Sequence, residues 1–434
     1  MRTLIISDLH LGGLTGIDLL RRPAVREALL RELEDVERLL LLGDVLELRH
    51  GPPHEALLAA RAFFEDVGQA LAGRELVITA GNHDHQLVSA WLDRRAALAP
   101  APLELEQRIA PADASPLLAQ IAEWAAPARV EVAYPGLWVR PDVYATHGHF
   151  LDCHLTLPTL ERIGIGAIGR FLERPESSLA SVDDYEAVTS PIYGWRDVMV
   201  RYGRAGATLN GVATVRAWRA LGGGRGVSGE PAARAAHAGS GGGRAPAGSS
   251  GAGDDAAARA DMNGDLRRGA ASAGAAEVAR AVRSAGTAGA DRFRASARRW
   301  ALRRGFMLAV DAINRAGMGP VKADLSRDEL RRSGLRAMGE VAARLGLGDA
   351  HVVFGHTHRA GPFPRDAQAE WRGRAGARLV NCGSWTLDSI FITAKPGESP
   401  YWPGACVLVP DSGPPELKRL LLDRSLAELR PSAA

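Results

Sequence analysis

The chain has 434 residues, is 46% hydrophobic and carries a formal net charge of +3. That length supports a large core in one or two domains, and so small a net charge gives no general reason to expect a nucleic-acid binder. The three cysteines, Cys153, Cys382 and Cys406, are an odd and sparse set, which is no disulfide framework and predicts a reducing compartment; with no C-x-x-C pair they argue against a structural zinc knuckle.

The predicted elements begin with a strand at Leu4-Ile5-Ile6, ending at Ser7-Asp8. Residues 24–38 show helical spacing, with Val25, Leu29, Leu33 and Val36 on one stripe. A strand at Leu39–Leu42 runs into Gly43-Asp44, a second amphipathic helix covers residues 55–72, and Leu76-Val77-Ile78 leads into Gly81-Asn82-His83. Polar motifs thus recur at the carboxyl ends of strands, the edge where layered α/β folds bind ligands. Residues 100–128 predict a loop with a helix near Leu117–Trp124. Three closely spaced strands follow at Val130–Ala133, Leu137–Val139 and Val143–Thr146. The last block predicts strands at His351–Phe354, Arg378–Val380, Ile390–Ile392 and Cys406–Val409.

Between these blocks lies an insertion over residues 151–345, separating core segments 1–150 and 346–425. Residues 154–220 predict amphipathic helices bearing Phe171, Tyr185, Tyr193, Trp195, Tyr202 and Trp218. Residues 222–290 are dominated by Gly, Ala, Ser and Arg, which bury too little apolar surface to offset ordering entropy; a disordered linker is expected there. Residues 291–345 return to helical spacing, so the insertion reads as a helical cap split by that linker. No run approaches the length that crosses a bilayer, and Met1-Arg2-Thr3 enters the first strand with no signal peptide before it. A soluble, cytoplasmic protein is expected.

Five motifs carry the chemistry: Asp8-Leu9-His10, Gly43-Asp44, Gly81-Asn82-His83-Asp84, His147-Gly148-His149 and Gly355-His356-Thr357-His358. Alternate residues of a strand share a face, so continued strand geometry would let Asp8 and His10 grip one ion, and His356 and His358 repeat the device. Asp44 can bridge two ions, and Gly43 and Gly81 let the backbone turn and approach. With Asn82 and His147 this makes seven ligands for a pair of divalent ions, which activates water for attack on phosphorus. Mixed N and O donors without thiolate suit Mn, Fe, Zn or Co. Two carboxylates against two dications leave a positive site suited to phosphate. His83 is expected to face the substrate, stabilising phosphoryl oxygens or protonating the leaving group, with Asp84 orienting its ring. Singly, each motif residue also fits a turn or cap. His149 is assigned a supporting or exposed place, His85, His154 and His351 are structural, Asp152 is a helix cap, the cysteines are small buried fillers, and Arg359 either touches a phosphate or is solvated.

The ordered motifs D-x-H, G-D, G-N-H-D, H-G-H and G-H-T-H resemble those of the calcineurin-like metallophosphoesterases, over residues 1–150 and 350–425. The resemblance implies a four-layer α/β/β/α sandwich with a dinuclear site. It implies one metal on Asp8, His10, Asp44 and His358, a second on Asp44, Asn82, His147 and His356, and His83 as the catalytic histidine. It also favours His147 over His149 as ligand. Ser7-Asp8-Leu9-His10-Leu11-Gly12-Gly13 is similar to the branch containing UDP-diacylglucosamine pyrophosphatases, in which a helical cap holds acyl chains; the insertion here is longer and interrupted.

The leading expectation is a metal-dependent phosphoester hydrolase acting on a small or lipid-like phosphate compound selected by the cap. The alternative is a nuclease whose Arg-bearing segment 222–304 tracks a phosphate backbone; a non-catalytic scaffold is the third reading. Trp300, Phe306, Met307 and Val310, flanked by Arg298, Arg299, Arg303 and Arg304, also form a stripe that could rest on a bilayer surface, although packing against the core is the favoured use.

Overall fold

A computed structural model describes residues 1–98, 101–202, 305–324, 326–387, 392 and 397–430. The chain divides into two units, Met1–Gly224 with Leu308–Ala434, and Arg225–Met307; every element named below belongs to the first. The strands are β1 (Thr3–Ile6), β2 (Arg38–Leu42), β3 (Glu75–Thr79), β4 (Glu106–Ile109), β5 (Arg129–Arg140), β6 (Val143–Thr146), β7 (His351–Phe354), β8 (Arg378–Asn381), β9 (Ala405–Val409) and β10 (Glu416–Arg419). The helices are α1 (Pro23–Glu32), α2 (Pro53–Ala70), α3 (Gln86–Ala97), α4 (Pro111–Ala114), α5 (Pro116–Trp124), α6 (Leu160–Phe171), α7 (Val182–Tyr202) and α8 (Arg327–Arg344), with a short C-terminal turn of helix at Leu426–Leu429.

The protein is mixed α/β, as expected. Its strands form one hydrogen-bonded path, β10-β9-β1-β2-β3-β5-β6-β7-β8, with β4 beside β5. β1, β2 and β3 are parallel neighbours, as are β6, β7 and β8. The long β5 joins the two halves: its first residues pair with β3 and its last with β6. The sequence predicts this strand as two, Val130–Ala133 and Leu137–Val139. The structure keeps it whole, because Pro135, which cannot donate to a ladder, falls where β5 passes from one partner to the other.

Alternation along the strands feeds separate apolar clusters. Leu4 and Ile6 of β1 join Leu39, Leu41, Leu76 and Ile78 against Phe63, Phe64 and Val67 of α2. Ile5, Leu40, Leu42 and Val77 face the other way and pack with Leu137, Val143, Ala145 and Val353 from the second half. Tyr144, Val352 and Phe354 then pack on Leu335, Met338 and Val341 of α8 and on Tyr185 and Val188 of α7.

The helix expected over 24–38 stops at Glu32, since β2 begins at Arg38 and the chain must turn between them; Leu33 and Val36 still reach the core. The tract 222–290, Trp218, Trp300 and residues 390–391 lie outside the described residues. The stripe at 306–310 is split, with Val310 buried and Met307 and Leu308 exposed. Among the described residues, no helix is long and apolar enough to cross a membrane.

Candidate metal centre

The five motifs leave the carboxyl ends of β1, β2, β3, β6 and β7. Strand geometry does not persist through them. Six described non-glycine residues have positive φ, and five are Asp8 (56°), His10 (48°), Asp44 (50°), His356 (65°) and His358 (57°). Each left-handed residue costs roughly 1–2 kcal/mol, and such strain persists only where surroundings over-determine it. Here the amides of Leu9 and His10 both donate to Asp44 O at 2.9 Å, and that of Asp8 to Gly43 O at 3.2 Å. The expected grip from alternate strand residues is therefore corrected: alternating left-handed residues, rather than the pleat, aim these side chains. Nor do His356 and His358 act as a pair; they reach different donor groups.

In the first group, His358 Nε2 lies 3.2 Å from Asp8 Oδ1 and 3.3 Å from His10 Nε2. His10 Nε2 lies 3.9 Å from Asp8 Oδ1 and 3.7 Å from Asp44 Oδ2. In the second, His147 Nε2 lies 3.3 Å from Asp44 Oδ2 and 3.2 Å from Asn82 Oδ1. Asn82 Oδ1 is 3.0 Å from His356 Nδ1. Asp44 Oδ2 thus belongs to both groups. Separations of this size suit donors that share an ion at bond lengths of about 2.0–2.2 Å. The structure brings all seven expected ligands together, with His83 beside them, its ring centroid 4.6 Å from that of His10.

Glycines make room for this convergence. Gly43 takes φ 77°, and a Cβ there would lie 2.6 Å from His147 Cγ. At Gly81 a Cβ would lie 2.7 Å from His147 Cδ2, and at Gly355 it would strike Ser7 and Asp8.

A surrounding layer fixes the ring nitrogens. His147 Nδ1 lies 2.9 Å from Leu42 O; a carbonyl only accepts, so the ring donates there and Nε2 keeps its lone pair. Glu47 Oε2 accepts from His10 Nδ1 at 3.0 Å, and Asp152 Oδ1 from His356 Nε2 at 3.0 Å. Glu47 also holds His83 Nδ1 at 2.9 Å. Two expectations are corrected here. Asp84 does not orient His83; its carboxylate accepts from the amides of Gly81 (2.7 Å), Val45 (2.7 Å), Asp44 (3.2 Å) and Leu46 (3.2 Å), tying two strand ends together. Asp152 is no helix cap but a partner of a candidate ligand. Glu47 went unread in the sequence; its signal was an acid between Leu46 and Leu48.

Burial alone would raise Asp8, but His358 and His147 outweigh it and lower the carboxyl to about 2. Burial would lower His10 and His147; Glu47 and Asp44 raise His10 to about 9, and Asp44 and Asp8 raise His147 to about 10. Proton and metal seek the same lone pairs, so basic imidazoles beside ionised carboxylates are a cation's donors. Burial pushes His83 down to about 4 against the pull of Glu47, with Arg49 adding to the depression. Two further features fit a metal. Asp8 Oδ1 is buried with no hydrogen-bond donor. Asn82 Oδ1 faces acceptor atoms, including Asp44 Oδ2 at 3.2 Å. The reversed amide would instead accept from Arg49 Nη1 at 3.1 Å; a cation among these lone pairs selects the oxygen-inward form.

His149 joins neither group: it is buried with both ring nitrogens unpartnered. His154 is structural, its Nδ1 2.9 Å from Glu176 and its Nε2 2.7 Å from the Tyr185 hydroxyl. The cysteines are free and buried. Arg359 is not solvated; it is 5% exposed and bonded to Asp366. It lines a cavity of about 330 Å³ that also meets Asn82, His83, His356 and His358.

No curated protein matches the chain. Residues 1–197 match the calcineurin-like phosphoesterase family; the match ends before His356 and His358, which the fold delivers to the same place. That match over the first 197 residues, with the aspartate and histidine groups able to hold a metal, makes the chain a phosphoric ester hydrolase that works with divalent metal.

Proposed function

We propose that the hydrolase is dinuclear. Asp8, His10, Asp44 and His358 would hold one ion; Asp44, Asn82, His147 and His356 would hold the other. The observation that carries this reading is the position of Asp44 Oδ2 within reach of both histidine sets. Mixed N and O donors favour manganese, iron or zinc. The bound ions supply Lewis acidity toward phosphoryl oxygens and an ionised water for attack on phosphorus.

The chain's own groups do the rest. His83, a quarter exposed, lines the cavity. Glu47 fixes its Nδ1 as the protonated nitrogen, so Nε2 is the free lone pair; the proton lost by the attacking water would pass through Nε2 to the leaving oxygen, and the ring ends neutral as it began. Leu151, Leu155, Leu157 and Leu335 line the same cavity and give an apolar wall to the organic part of a small or lipid-like phosphate compound. These leucines come from the insertion, which supports the cap as selector and a likeness to the UDP-diacylglucosamine pyrophosphatase branch. The clusters on either face of the strands support an α/β/β/α order of layers. The nuclease reading rests on a tract outside the described residues, and no observed feature favours it.

Asp44→Ala is expected to abolish turnover of an aryl phosphate and to reduce bound metal from two ions per chain, while circular dichroism keeps the wild-type fold. One ion per chain in the active wild-type protein would overturn the dinuclear assignment.

A further inference from the structure

We infer that the cavity beside the candidate metal centre holds a second recognition point, built on Arg359 and Trp371, for an anionic oxygen group elsewhere on the substrate. This rests on the hydrolase reading and specifies its substrate class: a phosphoester whose organic part carries a carboxylate or a further phosphate.

Arg359 is 5% exposed and Trp371 3%, and both line the cavity. Asp366 Oδ1 accepts from Arg359 Nη2 at 2.9 Å. Arg359 Nε and Nη1 and Trp371 Nε1 are buried without any acceptor. A buried donor left unmade is costly, more so on a charged group, and the cavity that both residues line is the route we assign to an acceptor. The donors are held in place. The Arg359 guanidinium carbon lies 4.8 Å from the Trp371 ring centroid, a stacked arrangement that fixes the planar fork. Gly361 permits it: a Cβ there would run into the indole and lie 2.9 Å from Arg359 Nη1.

Charge decides between a neutral and an anionic acceptor. Arg331, which also lines the cavity, shares Glu370 with Arg332. Three guanidinium groups in this cluster therefore share two carboxylates, Asp366 and Glu370, and the carboxylates that line the cavity itself, Asp152 and Glu161, are engaged by His356 and Arg196, which leaves the Arg359 cluster with one positive charge over. That excess favours an oxyanion over an amide or hydroxyl. Leu151, Leu155, Leu157 and Leu335 also line the cavity, so an apolar spacer between the two anionic groups fits.

The test uses full-length protein with added manganese and a phosphate-release assay. Substrates are phosphomonoesters of ω-hydroxyalkanoic acids of stepped chain length, the matching carboxamides and alkanols, and the alkanediol bisphosphates. At a favoured length, wild-type kcat/KM should be about tenfold higher for the anionic members than for the neutral ones, the worth of one charge-assisted hydrogen bond. The ranking of carboxylate against second phosphate identifies the group. Arg359→Lys keeps the charge but loses the fork, and should bring that ratio near unity. Trp371→Phe keeps the stacked ring but loses the N–H, and should lower the ratio in part; it carries the test alone if Arg359→Lys does not fold. An equal penalty on anionic and neutral substrates would mean that Arg359 serves only the reacting phosphate, and overturns the inference. So does a wild-type enzyme that hydrolyses every member without preference. A wild-type enzyme that hydrolyses none of them overturns the hydrolase reading beneath it.

Discussion

Glu47 binds two imidazoles with one buried carboxylate, His10 through Oε2 at 3.0 Å and His83 at 2.9 Å. Burial would raise this carboxyl, but His83 and His10 outweigh it and hold it well below the ordinary range. Glu47→Gln should therefore lower kcat on an aryl phosphate about 10- to 100-fold, the usual effect of losing an orienting partner. Wild-type kcat in that variant would remove Glu47 from the machinery. Gly355→Ala is a second probe, because the new Cβ would strike Ser7 Oγ and Asp8 Oδ2. Metal affinity and activity should fall together, as read by metal titration; normal metal content would show that the serine alone gives way. At this scale the sequence was legible where residue type carries the chemistry: Asp8, His10, Asp44, Asn82, His147, His356 and His358 meet because each follows a strand. It was not legible where conformation does the aiming. Nothing in the identity of His10 or His358 announces a left-handed backbone, and nothing in Leu46-Glu47-Leu48 says which rings the carboxylate will touch.

Elements with apolar alternation on both faces, β1, β2, β3 and β7, were readable because two-sided burial leaves near-continuous hydrophobic runs. The missed strands are β4 (Glu106–Ile109) and β10 (Glu416–Arg419), each paired on one side only and largely polar. Their partners, rather than their own composition, make them strands. Polar side chains also join the elements of the insertion. Glu176, between α6 and α7, binds His154 Nδ1 at 2.9 Å and Arg162 Nη2 at 2.7 Å. Burial would raise its carboxyl, but His154 and Arg162 outweigh it and lower it. A carboxyl lowered in the folded state stabilises fully above its unfolded value near 4.5, and that contribution disappears as pH falls through the folded value. Glu176 is 28% exposed and its partners nearly enclosed. Glu176→Gln should thus cost about 1–2 kcal/mol at neutral pH, between surface and buried pairs. In urea titrations the gap to wild type should close as pH drops below the unfolded value; an equal gap in acid would show that the ion pair is not its source.

At the scale of the whole molecule, the cavity draws on distant parts of the chain. Among the described residues its lining comes from Asn82 and His83, from Leu151 to Glu161, from Arg331 to Leu335, and from Phe354 to Arg359 with Trp371, Asn381 and Tyr401. The insertion thus contributes through its two flanks, one leaving β6 and one arriving on α8. Those flanks are tied to each other: the Thr156 amide donates to Ser333 Oγ at 3.0 Å, and Lys322 N to Thr156 O at 2.6 Å. α8 in turn packs on the core through Met338 and Val341. On the proposed function, the selecting surface lies in the flanks, and nothing is asked of the Gly-, Ala- and Arg-rich stretch between them. Replacing residues 222–290 by a short Gly-Ser linker should leave kcat/KM on an aryl phosphate within about twofold of wild type, if that tract supplies no substrate contact. The same variant separates the readings of that tract. If its arginines track a nucleic-acid backbone, the deletion should abolish a salt-dependent affinity for single-stranded DNA that the full chain shows. If they serve only as a solvated connection, neither protein should bind DNA. A large loss of aryl phosphate turnover on deletion would instead place part of the substrate surface in residues 222–290, and the flanks would no longer account for selection.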